Sequence, residues 1–292
     1  MNVDGDIPRR VRVQPRIAES IAAELRERIL NGTYSGLLPK QEALVAMFGV
    51  SAPPLREALR ILEMEGLITV RRGKVGGAVI HLPDGGSVSH AIGMTLQAER
   101  VHLRDVGELL ANLEPQCAAS CAGHPATRAA LATQFEENLA RAAASLGNGP
   151  AFTHWSRQFH DLVVASTPQA TTRLVVRSLV AVWSAQEETW AHEAAEVGQY
   201  PTDSEQRTVL NAHRRIADRI LSGDAAAAER AARSHLIATQ KRVVAEFGDR
   251  VVDASSPRAV RGLRDVTARR SGNGRMVDHP DAAPSIARLA TL

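Results

Sequence analysis

Arginine and histidine carry the reactive potential of this sequence. In the stretch "VSAPPLREALRILEMEGLI", Val50 to Ile68, Arg56 and Arg60 stand four residues apart, one helical turn, away from Leu55, Leu59 and Leu62. A guanidinium on such a helix can grip a guanine edge with two hydrogen bonds, and Ser51 with the helix N-terminal amides can hold a phosphate. Lys40 on one side and Arg71, Arg72 and Lys74 on the other are candidate phosphate or minor-groove contacts. Equally, such a cluster could be no more than a solvated basic face. The histidines suggest different chemistry. Ser222, Gly223 and Asp224 form a helix-hairpin turn, with Gly as C-cap and Asp as N-cap. His213 precedes Ser222 by nine residues and His235 follows Asp224 by eleven. At about 1.5 Å rise per residue the two are nearly level across antiparallel helices, so two imidazoles can face one point.

The elements that hold these residues follow from apolar spacing. Ile17, Ile21, Leu25 and Ile29 recur every four residues in a helix over 16–31, stopped by Gly32. A second helix is expected from Pro39, with Leu44, Val45 and Phe48 inward and Gly49 as terminator. A third begins at Ser51 as cap, with Pro53 and Pro54 in its first turn, where a missing N–H costs little. Gly66 ends it, and "LITVRR" and "AVIHL" alternate as two strands around "GKVGG". Helix, helix, helix and hairpin make a winged helix, whose second and third helices form a helix-turn-helix. After the breaker-rich "PDGGS", helices are expected over 103–122, 126–145, 152–166, 171–196, 204–221 and 224–247, an all-α domain. From Val251 the chain mixes Gly, Pro, Ser, Arg and Asp without period and reads as a disordered tail.

Composition narrows the function classes. The 292 residues, 44% hydrophobic, are enough for two domains. No apolar run reaches the roughly eighteen residues that span a bilayer, which points to a cytoplasmic protein with no membrane partner. Cys117 and Cys121 are its two cysteines, too few for a disulfide framework or a four-cysteine zinc site, and they read as buried helix residues. Charge is unevenly placed: twelve Lys/Arg against seven Asp/Glu over 8–82, sixteen against eighteen over 85–250, and seven against four beyond. A basic first quarter beside a slightly acidic middle suits a polyanion-binding module joined to a domain that binds something else.

The segment "LPKQEALVAMFGVSAPPLREALRILEMEGLITVRRGKVGGAVI" resembles the DNA-binding domain of GntR-type bacterial transcription regulators, which share its LP, GVS, REAL, LE and EGL elements and its wing glycines, Gly77 among them. The all-helical remainder places it with the FadR-like subfamily and its FCD-type sensor domain. The resemblance implies that the helix from Ser51 enters the major groove while the wing reaches the minor groove. It departs at Ala52 and Glu42, where the family has arginines, so an operator unlike the common half-site is expected. The subfamily often holds a divalent metal through an Asp and three His. By that resemblance His160, His213 and His235 are the ligands for Zn or another divalent metal, with Ser156 at the Asp position. Leu110 stands where the subfamily carries an effector-binding Arg, which favours a more apolar ligand. Trp155, Trp183 and Trp190 could line its pocket with Ser156, or be core packing.

The expected fold is therefore mainly α: an N-terminal extension over 1–15, a winged helix-turn-helix over 16–83, a linker and start of the helical domain over 84–102, an all-α effector-binding and dimerisation bundle over 103–250, and a basic tail over 251–292. The expected function is a non-enzymatic, homodimeric transcription regulator, a repressor, that binds a palindromic double-stranded DNA operator and responds to a small-molecule effector. Two rivals stand beside it: an architectural DNA-binding protein with a degenerate sensor, and a metal-dependent enzyme on the helical domain.

Overall fold

The computed structural model describes residues 13–71, 77–82 and 85–256. Those residues fall into two compact units, 1–84 and 85–292. In the first, α1 (Val13–Leu30) buries Ala18, Ile21, Ala22, Leu25 and Ile29, while Ile17, the expected first member of that stripe, is 38% exposed. Gly32 turns the chain at φ +78°, a left-handed conformation that costs glycine little. The second helix, α2 (Gln41–Phe48), starts two residues after Pro39 rather than at it, and Gly49 closes it at φ +61°. The third, α3 (Ala52–Met64), presents Leu55, Ala58, Leu59 and Leu62 to α1. Burying each such leucine is worth about 1.5–3 kcal/mol, which holds this small unit together. Arg26 of α1 also grips Glu65, just past α3, with two hydrogen bonds of 2.9 and 2.5 Å.

The strands β1 (Ile68–Arg71) and β2 (Gly77–Ile80) pair antiparallel, Ile68 opposite Ile80 and Arg71 opposite Gly77. The segment 36–38 runs along the free side of β2, with Leu38 N–H donating to Ala78 O and Ile80 N–H to Gly36 O. Helix, helix, helix, hairpin is the winged helix that the apolar spacing predicts.

The second unit holds α4 (Gly85–Ala98), α5 (Leu103–Gly123), α6 (Pro125–Ala144), α7 (Gly149–Ala165), α8 (Ala170–Glu196), α9 (Asp203–Leu221) and α10 (Ala225–Phe247). α5 packs against α6, α7, α8, α9 and α10 and forms the centre of the bundle. Gly107 permits its close crossing with α8, since a Cβ there would stand 3.0 Å from the Trp183 ring. Pro115, inside α5, has no N–H for the Ala111 carbonyl, and Arg233 of α10 donates to that oxygen instead at 3.4 Å. α9 opens with a capping box between Thr202 and Glu205, and α10 with Asp224 accepting from Ala227 N–H at 2.9 Å.

Two expectations are corrected. The glycines of "PDGGS" do not make a linker throughout, because α4 begins at Gly85 and packs along α8. The residues after α10 do not leave the bundle at Val251. His102 and Val251 form an antiparallel bridge, Val252 and Ala254 are buried, and the side chains of Gln97 and Gln186 bond the backbone of Ala254 and Asp253. The remainder of the expected tail, 257–292, and the expected extension up to residue 12 lie outside the described residues.

Candidate nucleic-acid interface and effector cavity

Arg56 and Arg60 project from α3 into solvent on the face opposite its leucines. Arg60 approaches Glu57 at 3.6 Å, an exposed pair of little energetic weight. Ser51 is the N-cap residue, yet its side chain makes no capping bond. The reason lies in the sequence: a capping hydroxyl accepts from the second or third amide of the helix, and here those residues are Pro53 and Pro54. Its exposed hydroxyl is thereby left for an outside partner, while two of the N-terminal amides expected to hold phosphate do not exist. Lys40 precedes α2 and is exposed, as is Arg71 at the end of β1. Gly77, opposite Arg71, faces the Leu37 side chain, which would lie 3.7 Å from an added Cβ. Arg72 and Lys74 lie outside the described residues.

The helical unit contains a cavity of about 510 Å³ between α7, α8, α9 and α10. His160 of α7, His213 of α9 and His235 of α10 are all buried and come together beside it, His160 and His235 in its wall and His213 not among the wall residues. His235 Nε2 lies 3.2 Å from His160 Nε2 and 2.9 Å from His213 Nε2. The edge of a tetrahedron of nitrogens around a metal bonded at 2.0–2.1 Å is about 3.4 Å, so the spacing suits a shared ion. His160 Nδ1 faces Glu114 Oε2 at 2.8 Å, and a proton donated there leaves Nε2 with its lone pair turned to the other two rings. With one lone pair fixed, a single proton on His235 Nε2 cannot satisfy both short contacts, whereas a cation can. Burial first, and then the other cationic side chains, hold His213 and His235 well below the usual histidine range, which keeps them neutral. Burial pushes the Glu114 carboxyl up, but His160 and Arg157 outweigh it and the net shift is downward.

Of the remaining pocket candidates, Ser156 and Trp190 line the cavity. Trp155 does not: it packs beside Phe152 and Leu210 under the Arg141 guanidinium, 4.8 Å from its ring centre. Trp183 does not either, being 1% exposed in the core with its Nε1–H on Glu187 Oε2 at 2.6 Å. Leu110 is likewise buried in the core and is not part of the cavity wall. Tryptophan type alone does not separate wall from core; Trp183 and Trp190 share a face of α8, and their separation of about 10 Å along the helix axis puts Trp190 in the wall and Trp183 in the core.

The sequence reasoning missed three wall residues. Arg157 is 6% exposed, on the same face of α7 as His160, and this three-residue spacing was the signal available for it. Tyr200, from the connection between α8 and α9, bonds Thr153 through its hydroxyl at 2.6 Å, and burial pushes its phenol up to about 12. It fits only because residue 149 is glycine, since a Cβ there would lie 2.6 Å from the ring. Arg242 reaches the wall from α10, held by Glu205 at 2.5 Å.

Comparison with known proteins follows the same two-part division. The family described as bacterial regulatory proteins, gntR family, matches residues 17–77, and the FCD domain matches residues 105–238. The HTH-type transcriptional regulator Rv0494 of Mycobacterium tuberculosis is 28% identical over 253 residues, 83% of this chain and 94% of that protein. The gluconate operon transcriptional repressor of Bacillus licheniformis is 43% identical over 65 residues, 22% of this chain and 26% of the relative. The HTH-type transcriptional repressor NanR of Klebsiella aerogenes is 31% identical over 74 residues, and the match spans 28% of its length. Among solved structures, a GntR protein of Streptococcus agalactiae shares the fold with a TM-score of 0.54 at 19% identity, covering 77% of this chain and 99% of its own. No helix among the described residues is long and apolar enough to cross a membrane. A winged helix followed by an FCD bundle, each matched in sequence and seen in the structure, makes this chain a transcriptional regulator of the GntR family with the FadR-like architecture, and not an enzyme.

Proposed function

We propose that this regulator is a homodimeric repressor in the cytoplasm, in which the winged helix over 16–83 binds a palindromic operator and the bundle over 103–250 senses a small-molecule effector with the help of a divalent metal. The observation that carries this reading is the meeting of three buried imidazoles, two of which line a cavity in the FCD domain. His160, His213 and His235 would hold the ion, and Zn²⁺ or a similar borderline metal suits an all-nitrogen set. Bound there, the metal supplies a Lewis-acidic centre for an effector oxygen. Glu114 keeps His160 in the tautomer that offers Nε2. On the DNA side Arg56 reads a guanine, and Ser51, Lys40, Arg60 and Arg71 contact phosphates, with Arg72 and Lys74 extending the same role. Two copies match a two-fold operator, and an effector that favours one arrangement of the dimer shifts operator affinity by its differential binding.

The test is selection of genomic DNA fragments by the purified protein at near-physiological salt, followed by competition with metal and candidate metabolites. A sharp palindromic motif whose occupancy responds to a metabolite is the expected result. Broad, salt-sensitive enrichment without a motif would sink the operator reading and favour an architectural role, in line with Ala52 and Glu42 at the two positions where the family carries arginine.

A further inference from the structure

The central helix of the bundle begins without a side-chain cap. His102 stands at the N-cap of α5 and makes no capping bond, so the first amides of α5 need acceptors from elsewhere. They find them in the segment after α10: Leu103 N–H donates to Arg250 O at 2.9 Å and Arg104 N–H to Gly248 O at 3.2 Å. Val252 N–H donates in turn to Val101 O at 3.0 Å. Two glutamines hold the same segment from other helices. Gln97 of α4 accepts from Ala254 N–H and donates to Ser255 Oγ, both at 2.8 Å, and Gln186 of α8 exchanges two bonds with the Asp253 backbone at 2.7 and 3.3 Å. Between α4 and α5, Arg100 takes φ +56°, a left-handed conformation that is costly for a residue with a Cβ and persists only where its surroundings impose it. Residues 101–104, which follow it, are the ones this segment binds.

From this we infer that residues 248–256 are a latch that fixes α4, the helix into which the chain passes from the winged unit, to α10, so that a shift of the cavity helix reaches α4 through this segment. For its use the inference rests on the sensing role proposed above, and the latch lies beyond the FCD match, which ends at residue 238. His235, Thr239 and Val243 of α10 line the cavity, and the latch follows that helix with no intervening loop, because Gly248 is its C-cap. Movement of the last turns of α10 therefore displaces the carbonyls that cap α5 and the amide that Gln97 holds. Docked, the segment buries Val252 and Ala254 and keeps Arg100 in its left-handed form. Undocked, it lets that junction relax and releases the end of α4. Two discrete arrangements of one element are what coupling between distant sites requires.

The test is hydrogen exchange on the full chain, unmutated and as Gln97→Ala/Gln186→Ala, which cuts the latch at two partly exposed side chains that do not line the cavity. In the unmutated protein the amides of the C-terminal half of α4 and those of Leu103, Arg104, Val252 and Ala254 are expected to exchange as one cooperative unit. In the double variant all of them should exchange about 10- to 100-fold faster, with α6 unchanged. His235→Ala disturbs α10 at the cavity whether or not a metal is held there. Relative to α6, it should speed α4 exchange while the latch is intact and leave it unaltered once the latch is cut. Separate exchange of α4 and the segment in the unmutated protein, unchanged α4 exchange in the folded double variant, or an equal response to His235→Ala with and without the latch would each overturn the inference. Zn²⁺ stoichiometry and operator affinity are read separately. An α4 that responds through the latch without any change in operator affinity would defeat the sensing role and leave the latch standing.

Discussion

Gly149 is the smallest residue on which the cavity depends, and Gly149→Ala is expected to disturb it in a measurable way. The ideal Cβ would lie 2.6–2.8 Å from three ring atoms of Tyr200, closer than folded proteins tolerate, so the ring must move. Tyr200 is not free to do so cheaply, because its hydroxyl is tied to Thr153 at 2.6 Å and its ring packs 5.6 Å from that of Trp190. Overpacking of this kind costs about 1–3 kcal/mol, and a lost hydrogen bond about 0.5–1.5 kcal/mol. Against this, alanine in a helix gains up to about 1 kcal/mol over glycine, and less in the first turn, where residue 149 stands. The net is a loss of about 1–3 kcal/mol, roughly 3–10 °C in Tm for a unit of this size. Differential scanning calorimetry of a double-mutant cycle isolates the clash. In a Tyr200→Ala background the same Gly149→Ala change should be neutral or stabilising, a reversal of sign. Destabilisation of equal size in both backgrounds would refute the steric argument, and a higher Tm for Gly149→Ala alone would refute it outright.

Three further outcomes are expected. His235→Ala should abolish stoichiometric Zn²⁺ binding read by calorimetry and elemental analysis, while Glu114→Gln, which removes the buried carboxylate that faces His160 Nδ1 and Arg157, should weaken it about 10–100-fold; metal bound as tightly by both variants would show that the three histidines are structural. Arg56→Ala should cost about 1–3 kcal/mol on the operator and relax preference at one base pair, whereas Lys40→Ala should weaken all sequences alike and lower the salt slope by about 1; the opposite pattern in binding titrations would exchange their roles. Burial pushes the Cys121 thiol up to about 12 and raises that of Cys117 as well, so at pH 8 neither should react with a thiol-selective disulfide reagent until the protein is unfolded, and rapid reaction in the folded state would contradict their place in the core.

Local patterns were the part that could be read from sequence. Gly49 and Gly66 stop helices because each occupies the left-handed region, and Leu55, Leu59 and Leu62 follow the period of the helix they line. The winged helix is thus written in neighbouring residues. The meeting of His213 and His235 was also legible, since a tight turn at Gly223 fixes the register of two antiparallel helices. Even the idle hydroxyl of Ser51 is implied by the prolines after it. Tertiary packing decided the rest. α4 forms despite two glycines at its start because it gains the surface of α8, and Val251–Ser256 stays on the bundle because Gln97 and Gln186 reach it from far along the chain. Which of the two α8 tryptophans meets the cavity depends on where along that helix the cavity lies. That Arg157 sits buried with donors unspent depends on where Glu114, Ser184 and Glu187 come to lie, and no spacing in the sequence encodes a distance between three different helices.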